Sequence, residues 1–199
     1  MESHLTVLLP LTALWLVAGW LADGLPRLDH ARALRRRTGW VLVLTLTGLG
    51  STATVLVAGL SSPGATQADR AAAGLALAAA PALVVAACTL RRVRRLRAGA
   101  RALSSAPGTP APHGLRASAA HPLIGLPVQL TGLAILPAVA AASVPDLLFG
   151  PGVTGPAITV AVLGVAAIGV RHALRHNRLV ERAVPARPAS PRAAGALHV

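Results

Sequence analysis

The chain has 199 residues, of which 54% are hydrophobic and only 13% are charged, and its formal net charge is +13. Soluble domains usually carry about 25% charged residues, so this composition argues against an ordinary soluble domain and favours a membrane protein. The net positive charge, taken alone, would be compatible with a protein that binds nucleic acid. Aromatic stacking residues are nearly absent, however, with one Phe, three Trp and no Tyr, which argues against nucleic-acid binding.

Apolar stretches of membrane-spanning length recur along the chain, since about 20 residues cross the hydrocarbon core as a helix. The predicted transmembrane helices are His4–Ala22, Trp40–Leu60, Ala71–Leu90, Pro122–Val144 and Val153–Val170. They predict an all-α membrane protein, a bundle of about five transmembrane helices that forms a single domain over residues 1–184. Residues 185–199 contain three Pro and are predicted to form a disordered cytoplasmic tail.

The first apolar stretch is predicted to be a membrane helix, although a signal peptide is the alternative. No Arg or Lys precedes the stretch, whereas five Arg follow it in 23–39. A signal peptide carries its positive charge before the apolar region, so the charge order here is reversed. We therefore expect the N-terminus to lie outside the cell.

The Arg residues predict the membrane topology. The chain has no Lys. Its Arg residues are grouped in 23–39, 91–121 and 171–199, which follow the first, third and fifth apolar stretches. Cytoplasmic loops are enriched in Arg and Lys, which predicts a cytoplasmic C-terminus. Trp20 and Trp40 bracket the first cluster and are expected at the same cytoplasmic interface. The Arg-, Ala-, Gly- and Pro-rich composition fits a GC-rich bacterial genome, so we expect a multi-pass protein of the plasma (inner) membrane.

The fourth stretch contains Pro127 and Pro137, each of which removes a helical hydrogen bond. We predict a kinked helix that crosses the membrane. A re-entrant loop is the alternative, but it would place the C-terminal Arg cluster outside, against the charge rule.

One face of this fourth helix is polar or small. It consists of His121, Gly125, Gln129 and Gly132. One interpretation is a polar cavity beside Pro127. The favoured one is an interhelical hydrogen bond with close packing at the glycines. Small residues also predict packing faces on the second helix (Thr45, Thr47, Gly48, Gly50, Ser51, Thr52 and Thr54) and on the third (Gly74, Ala78, Ala82 and Ala86).

Arg91–Leu103 is predicted to be an amphipathic extension of the third helix. Its apolar stripe is Val93, Leu96, Ala100 and Leu103, and its basic residues are Arg91, Arg92, Arg94, Arg95, Arg97 and Arg101. Such a helix would lie on the cytoplasmic surface with the stripe in the acyl boundary and the Arg on anionic lipid. A topology signal in a solvated loop is the alternative.

No catalytic or cofactor site is predicted. His172 and His176 have the i, i+4 spacing of a metal pair, but Ala173 replaces the Glu of the zinc-protease motif and three Arg surround them. No Asp, Glu, Lys or Arg lies within a predicted span, which argues against a proton-coupled pump. We expect a non-enzymatic accessory, scaffold or regulatory protein whose partners are the lipid bilayer and other membrane proteins or itself. A small transporter or channel subunit acting as an oligomer is the first alternative, and a lipid-active enzyme is the second.

Overall fold

The computed structural model describes residues 4–62, 66–104, 108–143 and 154–183, and these residues are nearly all helical. The helices are α1 (Leu5–Asp23), a 3₁₀ turn (Leu25–Arg27), α2 (Ala31–Leu60), α3 (Gln67–Val84), a π-helical turn (Val85–Thr89), α4 (Leu90–Ala102), α5 (His113–Ala119), α6 (Pro122–Ser143) and α7 (Thr154–Ala183). The predicted all-α class is confirmed.

Four of the predicted stretches form helices that are long and apolar enough to cross a membrane. They lie in Leu5–Arg27, Ala31–Leu60, Gln67–Ala102 and His113–Ser143. The fifth predicted span falls within α7, and both its crossing and the orientation of the termini stay predictions. Val144, the outer turn Pro145–Gly152 and the tail 185–199 lie outside the described residues.

The helices extend past the predicted spans at the Arg-rich end. Helix α2 begins at Ala31, well before Trp40, and runs for 30 residues. Helix α3, the π-helical turn and α4 form one continuous helical segment of 36 residues, Gln67–Ala102. At about 1.5 Å per residue these segments are roughly 45 and 54 Å long, whereas the hydrocarbon core is about 30 Å thick. Each segment is therefore several turns longer than a helix needs to cross that core.

Helix α6 is one continuous α-helix through Pro127 and Pro137. The Thr131 hydroxyl donates to the Pro127 carbonyl at 2.8 Å. A re-entrant loop would have to reverse its direction within this stretch, so the continuous helix favours the predicted crossing over that alternative.

Trp15 of α1 is the centre of the membrane core. Its side chain is fully buried among residues of α1, α3 and α6 that include Leu11, Leu75 and Val128. The indole Nε1 donates to Thr52 Oγ1 of α2 at 3.2 Å. The ring lies directly against Gly48, which lets α1 and α2 approach closely.

The small-residue faces pack as predicted only in part. On α2, Thr45, Gly48 and Thr52 are buried, whereas Thr47, Gly50, Ser51 and Thr54 are exposed. On α3, Ala78 and Ala82 are buried, and Gly74 lies against Ala138. The next predicted member, Ala86, is exposed, and Val85 and Thr89 are buried instead. The i+4 extrapolation is wrong for Ala86, because an α-helix has about 3.6 residues per turn and each i+4 step drifts by about 40° around the helix.

Substituting Gly48→Ala is expected to destabilise the bundle. A Cβ at this position would lie 2.9 Å from Trp15 Cε2 and 3.1 Å from Cζ2, so the buried ring would have to shift. Overpacking of this kind costs about 1–3 kcal/mol. The measurement is the thermal midpoint of the detergent-solubilised protein by circular dichroism.

The matched control is Gly50→Ala on the same helix, where a Cβ would meet nothing within 4 Å. Both variants gain the same helix propensity, so only Gly48→Ala should lower the midpoint. Equal midpoints for the two variants would contradict the close approach of α1 and α2.

Candidate functional site

The Arg-rich ends of the helices pack together into a layer of their own. We call it the basic layer, made of the 3₁₀ turn, residues 31–41 of α2, α4, α5 and residues 171–183 of α7. With Ala22 of α1 and Ile124 of α6, its apolar side chains form a second core, whose other members are Leu25, Leu34, Val41, Val93, Leu96, Ala100 and Ala119. The α7 part of the layer packs through Leu179 against Ala117 and Ala120. The layer is therefore folded, because the apolar faces of its basic helices bury one another.

The apolar stripe of α4 faces the protein and not the lipid. Val93, Leu96 and Ala100 are buried in this second core beside Leu34 and Val41 of α2. The predicted insertion of the stripe into the acyl boundary is therefore wrong. The periodicity was informative about amphipathicity, but α2 extends far enough out of the membrane to cover the stripe itself.

The six predicted lipid-contact residues lie on the outer side of α4. Arg91, Arg94, Arg95, Arg97 and Arg101 are exposed and Arg92 is half-buried. None of them forms an ion pair with an acidic side chain in the described part of the chain. Their guanidinium groups thus present unneutralised positive charge on the surface of the basic layer.

Asp23, the last residue of α1, pairs with Arg residues of α7 and so attaches α7 to α1. Its carboxylate accepts from Arg171 and, at 2.9 Å, from Arg175, and it pairs with Arg27 at 3.3 Å. Arg175 also donates to the Asp23 backbone carbonyl at 2.9 Å. A carboxylate at a helix C-terminus is repelled by the macrodipole, and the three guanidinium groups offset that repulsion.

The charge pattern of the sequence contained a signal for Asp23 that the sequence interpretation did not use. Asp23 is an acid directly after an apolar stretch, at the end where the Arg clusters gather. Its side chain is only 13% exposed. An acid so placed has to meet basic partners, but the sequence does not specify that they come from residues 171 and 175.

Gln129 of α6 contacts both α1 and α7 and so connects three helices, at the point where the Arg-rich half of α7 begins. Its Oε1 lies 3.0 Å from Nε2 of the buried His172, and its Nε2 lies 3.4 Å from the Gly19 carbonyl oxygen of α1. A Cβ at Gly125 would lie 2.7 Å from the His172 ring. The favoured interpretation, interhelical hydrogen bonding with close packing at glycines, describes this arrangement, and α7 is the partner that the sequence did not identify.

The other two members of that face are also at helix contacts. Gly132 packs against Leu16 and Trp15 of α1. The His121 and His176 rings lie with centroids 5.0 Å apart. His121 Nδ1 accepts from the Leu123 amide, and His176 Nδ1 donates to the Ala117 carbonyl.

The positions of the imidazole rings do not indicate a metal site. Within the described residues, no cluster of three or more His, Cys, Asp or Glu is placed to hold a metal ion. His172 and His176 are adjacent on α7 but bond to different helices, His172 to Gln129 and His176 to Ala117. Their i, i+4 spacing therefore serves to dock one face of α7.

A cavity of about 360 Å³ lies between α1, α6 and α7. It is lined by Leu16, Trp20, Asp23, Gln129, Leu133, Ile168 and Arg171. Of the predicted polar face, Gln129 lines this cavity, whereas His121, Gly125, Gly132 and Pro127 are not among its lining residues.

Comparisons with known protein families, with curated proteins and with solved structures find no match to this chain. The function therefore has to be argued from the geometry of the basic layer and of the bundle below it.

Asp23→Asn is expected to loosen the inner half of α7. Two of the guanidinium groups that Asp23 holds lie on α7, so losing the carboxylate charge weakens the attachment by on the order of 1 kcal/mol after solvent screening. Limited trypsin digestion of the solubilised protein should then cut after Arg175 and Arg178 about fivefold faster, because local opening governs cleavage.

Asp69→Asn is the charge-matched control. Asp69 lies in the first turn of α3 and forms no ion pair in the described residues. Its variant should show the wild-type cleavage rate. A rate that is also unchanged in Asp23→Asn would mean that the carboxylate does not hold α7.

Acidification is expected to weaken the same attachment through His172. Burial lowers the pKa of His172 below its ordinary value of 6.5, the charges of Arg171 and Arg175 lower it further, and Asp23 opposes them. A lowered histidine pKa means that the unfolded state binds more protons, so the contribution of His172 to stability is complete above pH 6.5 and is lost as the pH falls below it.

The check is the thermal midpoint at about pH 7.5 and at about pH 5.5, on either side of the histidine range. The wild-type midpoint should fall more between these values than that of His172→Gln, which keeps an amide donor for Gln129 and cannot be charged. Identical decreases would show that other groups produce the pH dependence.

Proposed function

We propose that this chain is a non-enzymatic integral membrane protein of the plasma membrane with an accessory, scaffold or regulatory role. In this proposal five helices cross the bilayer, the N-terminus lies outside, and the basic layer lies at the cytoplasmic face. The observation that carries the proposal is the folded basic layer itself, in which apolar faces are buried and the Arg of α4 point outward without acidic partners among the described residues.

The proposed contact of this layer is the anionic inner leaflet. Each basic residue near such a surface contributes about 1 kcal/mol of attraction. Arg91, Arg94, Arg95, Arg97 and Arg101 are exposed and carried on one helix, so the backbone that displays them is already ordered. With the stripe of α4 buried, the attraction is electrostatic and does not include insertion of α4.

A transport role is the second candidate, and the cavity beside Gln129 is the observation that favours it. The helices α1, α3 and α6, however, enclose an apolar core that includes Trp15, Leu75 and Ile135. The threonines Thr45, Thr52 and Thr131 bond to carbonyls of their own helices. A solute path would thus need an oligomer, and we favour the accessory role.

The orientation is tested by fusing alkaline phosphatase or a fluorescent protein to the C-terminus at Val199. The proposed topology gives fluorescence without phosphatase activity. Single Cys at Ser118 or Asp146, in a Cys88→Ala background, are then labelled on intact cells with an impermeant maleimide. Asp146→Cys should label and Ser118→Cys should not, because they lie at opposite ends of the span formed by α6.

Phosphatase activity at Val199 would reject the odd number of crossings, and equal labelling of both Cys would reject the crossing by α6. Proteoliposomes of the full chain test the second candidate. They should hold a proton or potassium gradient as long as empty liposomes do, and a faster loss would favour the transport role.

A further inference from the structure

A groove of about 650 Å³ lies between the inner end of α1 and the first turns of α2. We call it the tryptophan groove; it is lined by Trp20, Leu21, His30, Arg32, Ala33, Arg36, Arg37, Trp40 and Gly108. Trp20 is 70% exposed and Trp40 is 56% exposed. Two exposed indoles on one groove are typical of the membrane interface, where the ring meets both acyl chain and headgroup.

Three guanidinium groups surround the groove. Arg32 and Arg36 are one helical turn apart on α2, one turn before Trp40, so all three share a face of the helix. Arg32 and Arg36 are exposed, and neither forms an ion pair in the described residues. This face therefore carries positive charge that no acidic side chain of the described residues pairs with.

Arg37 closes the inner wall. Its guanidinium lies 5.3 Å from the centre of the Trp20 ring and packs against Gly24. The ring holds the guanidinium plane in place. Arg37 Nε is buried and has no hydrogen-bond partner among the described residues. Burial of such a donor is costly unless it is paired. Because this nitrogen is closed to the groove, a ligand there would meet the other guanidinium nitrogens of Arg37.

The nearby acids are already engaged elsewhere. Asp23 pairs with Arg27, Arg171 and Arg175, and Asp29 pairs with Arg116 at 3.0 Å. The positive charge in the groove is thus not neutralised by these two carboxylates. The first turn of α2 also borders the groove, and the positive end of its macrodipole adds to the attraction for an anion.

Backbone pairing holds the outer edge of the groove. The Ala31 amide donates to the Thr109 carbonyl at 3.0 Å, and the Ala111 amide donates to the Asp29 carbonyl at 2.7 Å. Next to this pairing, Gly108 has φ +84°, a left-handed conformation that glycine adopts without strain. The opening beside Arg32 is thereby held by main-chain bonds and does not depend on long side chains.

We propose that the tryptophan groove binds one anionic phospholipid. Its phosphodiester oxygens accept from Arg32, Arg36 and Arg37, and its glycerol and upper acyl chain lie against Trp20 and Trp40. Guanidinium groups bind phosphate with paired N–H donors, and basic pockets between membrane helices hold anionic headgroups. The mostly apolar wall distinguishes this occupant from free phosphate, which has nothing to place against two indoles.

This site is separate from the electrostatic contact proposed for α4. Its lining includes Trp20 and Leu21 of α1 and no residue of α4. Arg97 of α4 lines a neighbouring cavity of about 430 Å³, which shares Arg32, Arg36 and Trp40 with the groove but lacks Trp20. The assignment of the site to the inner leaflet rests on the proposed orientation. Binding of lipid by the solubilised protein does not depend on that orientation.

The experiment measures quenching of tryptophan fluorescence by lipids with brominated acyl chains. The full-length protein in neutral detergent micelles is titrated with brominated phosphatidylglycerol and, separately, with brominated phosphatidylcholine. Trp15 is fully buried and contributes an unquenched background. Phosphatidylglycerol should quench Trp20 and Trp40 at a lower mole fraction than phosphatidylcholine does.

The double variant Arg32→Gln/Arg36→Gln should reduce the preference for phosphatidylglycerol at least about tenfold, because each basic residue near a lipid phosphate contributes roughly fivefold. The matched control is Arg94→Gln/Arg95→Gln, which removes the same charge from α4 and should keep the preference. Unchanged circular dichroism of both variants excludes misfolding as the cause.

Three results would overturn the lipid site. The first is equal quenching by the two lipids in the wild type. The second is an equal loss of preference in the two double variants, which would indicate general surface charge. The third is complete relief of quenching by millimolar inorganic phosphate at constant ionic strength, which would indicate a site for the free anion. None of these depends on the topology fusions, so failure of the orientation and failure of the site are distinguishable.

Discussion

A guanidinium group has to stay in water or against an anion, whereas the helix that carries it has to keep its backbone hydrogen-bonded. Both requirements are met here because the helices continue past the apolar stretches instead of ending at them. Helix α2 starts at Ala31 and α4 ends at Ala102, so their Arg are displayed on helical ends beyond the hydrocarbon length. The apolar faces of these ends then become available to each other, and the basic layer is the result.

Helix α7 depends on this layer more than on the core of the bundle. Its residues 159–167 are exposed, whereas His172 and Leu179 on its inner half are buried. Asp23 and Gln129 supply the bonds that position this inner half. Leu179, which packs against Ala117 and Ala120, and His176, which bonds to the Ala117 carbonyl, complete the attachment of α7.

The Arg residues of α2, α4 and α7 differ in role because they have different neighbours. Those of α7 that meet Asp23 have a structural role, since each has an anion in direct contact. Those of α4 lie above a buried stripe and face outward. Those of α2 border a groove with two exposed indoles, where the described residues supply shape and apolar wall but no acid. This last set combines its charge with two exposed indoles, and the lipid proposal therefore rests on it and not on the most basic helix.

The sequence by itself determined the helical class, four of the spans and the amphipathic character of α4, because hydrophobic period and length are local properties. It also identified Gln129 and its neighbouring glycines as a contact face. Tertiary structure decided which surface each stripe meets: Val93 and Leu96 pack on α2, and His172 reaches Gln129 across helices. Periodicity indicates whether a helix face is apolar or polar. Which helix packs against that face depends on how far the neighbouring helices extend and on which residues they carry at the same level. Asp23 and the tryptophan groove show the same limit, since their partners are distant in sequence and meet only in the folded chain.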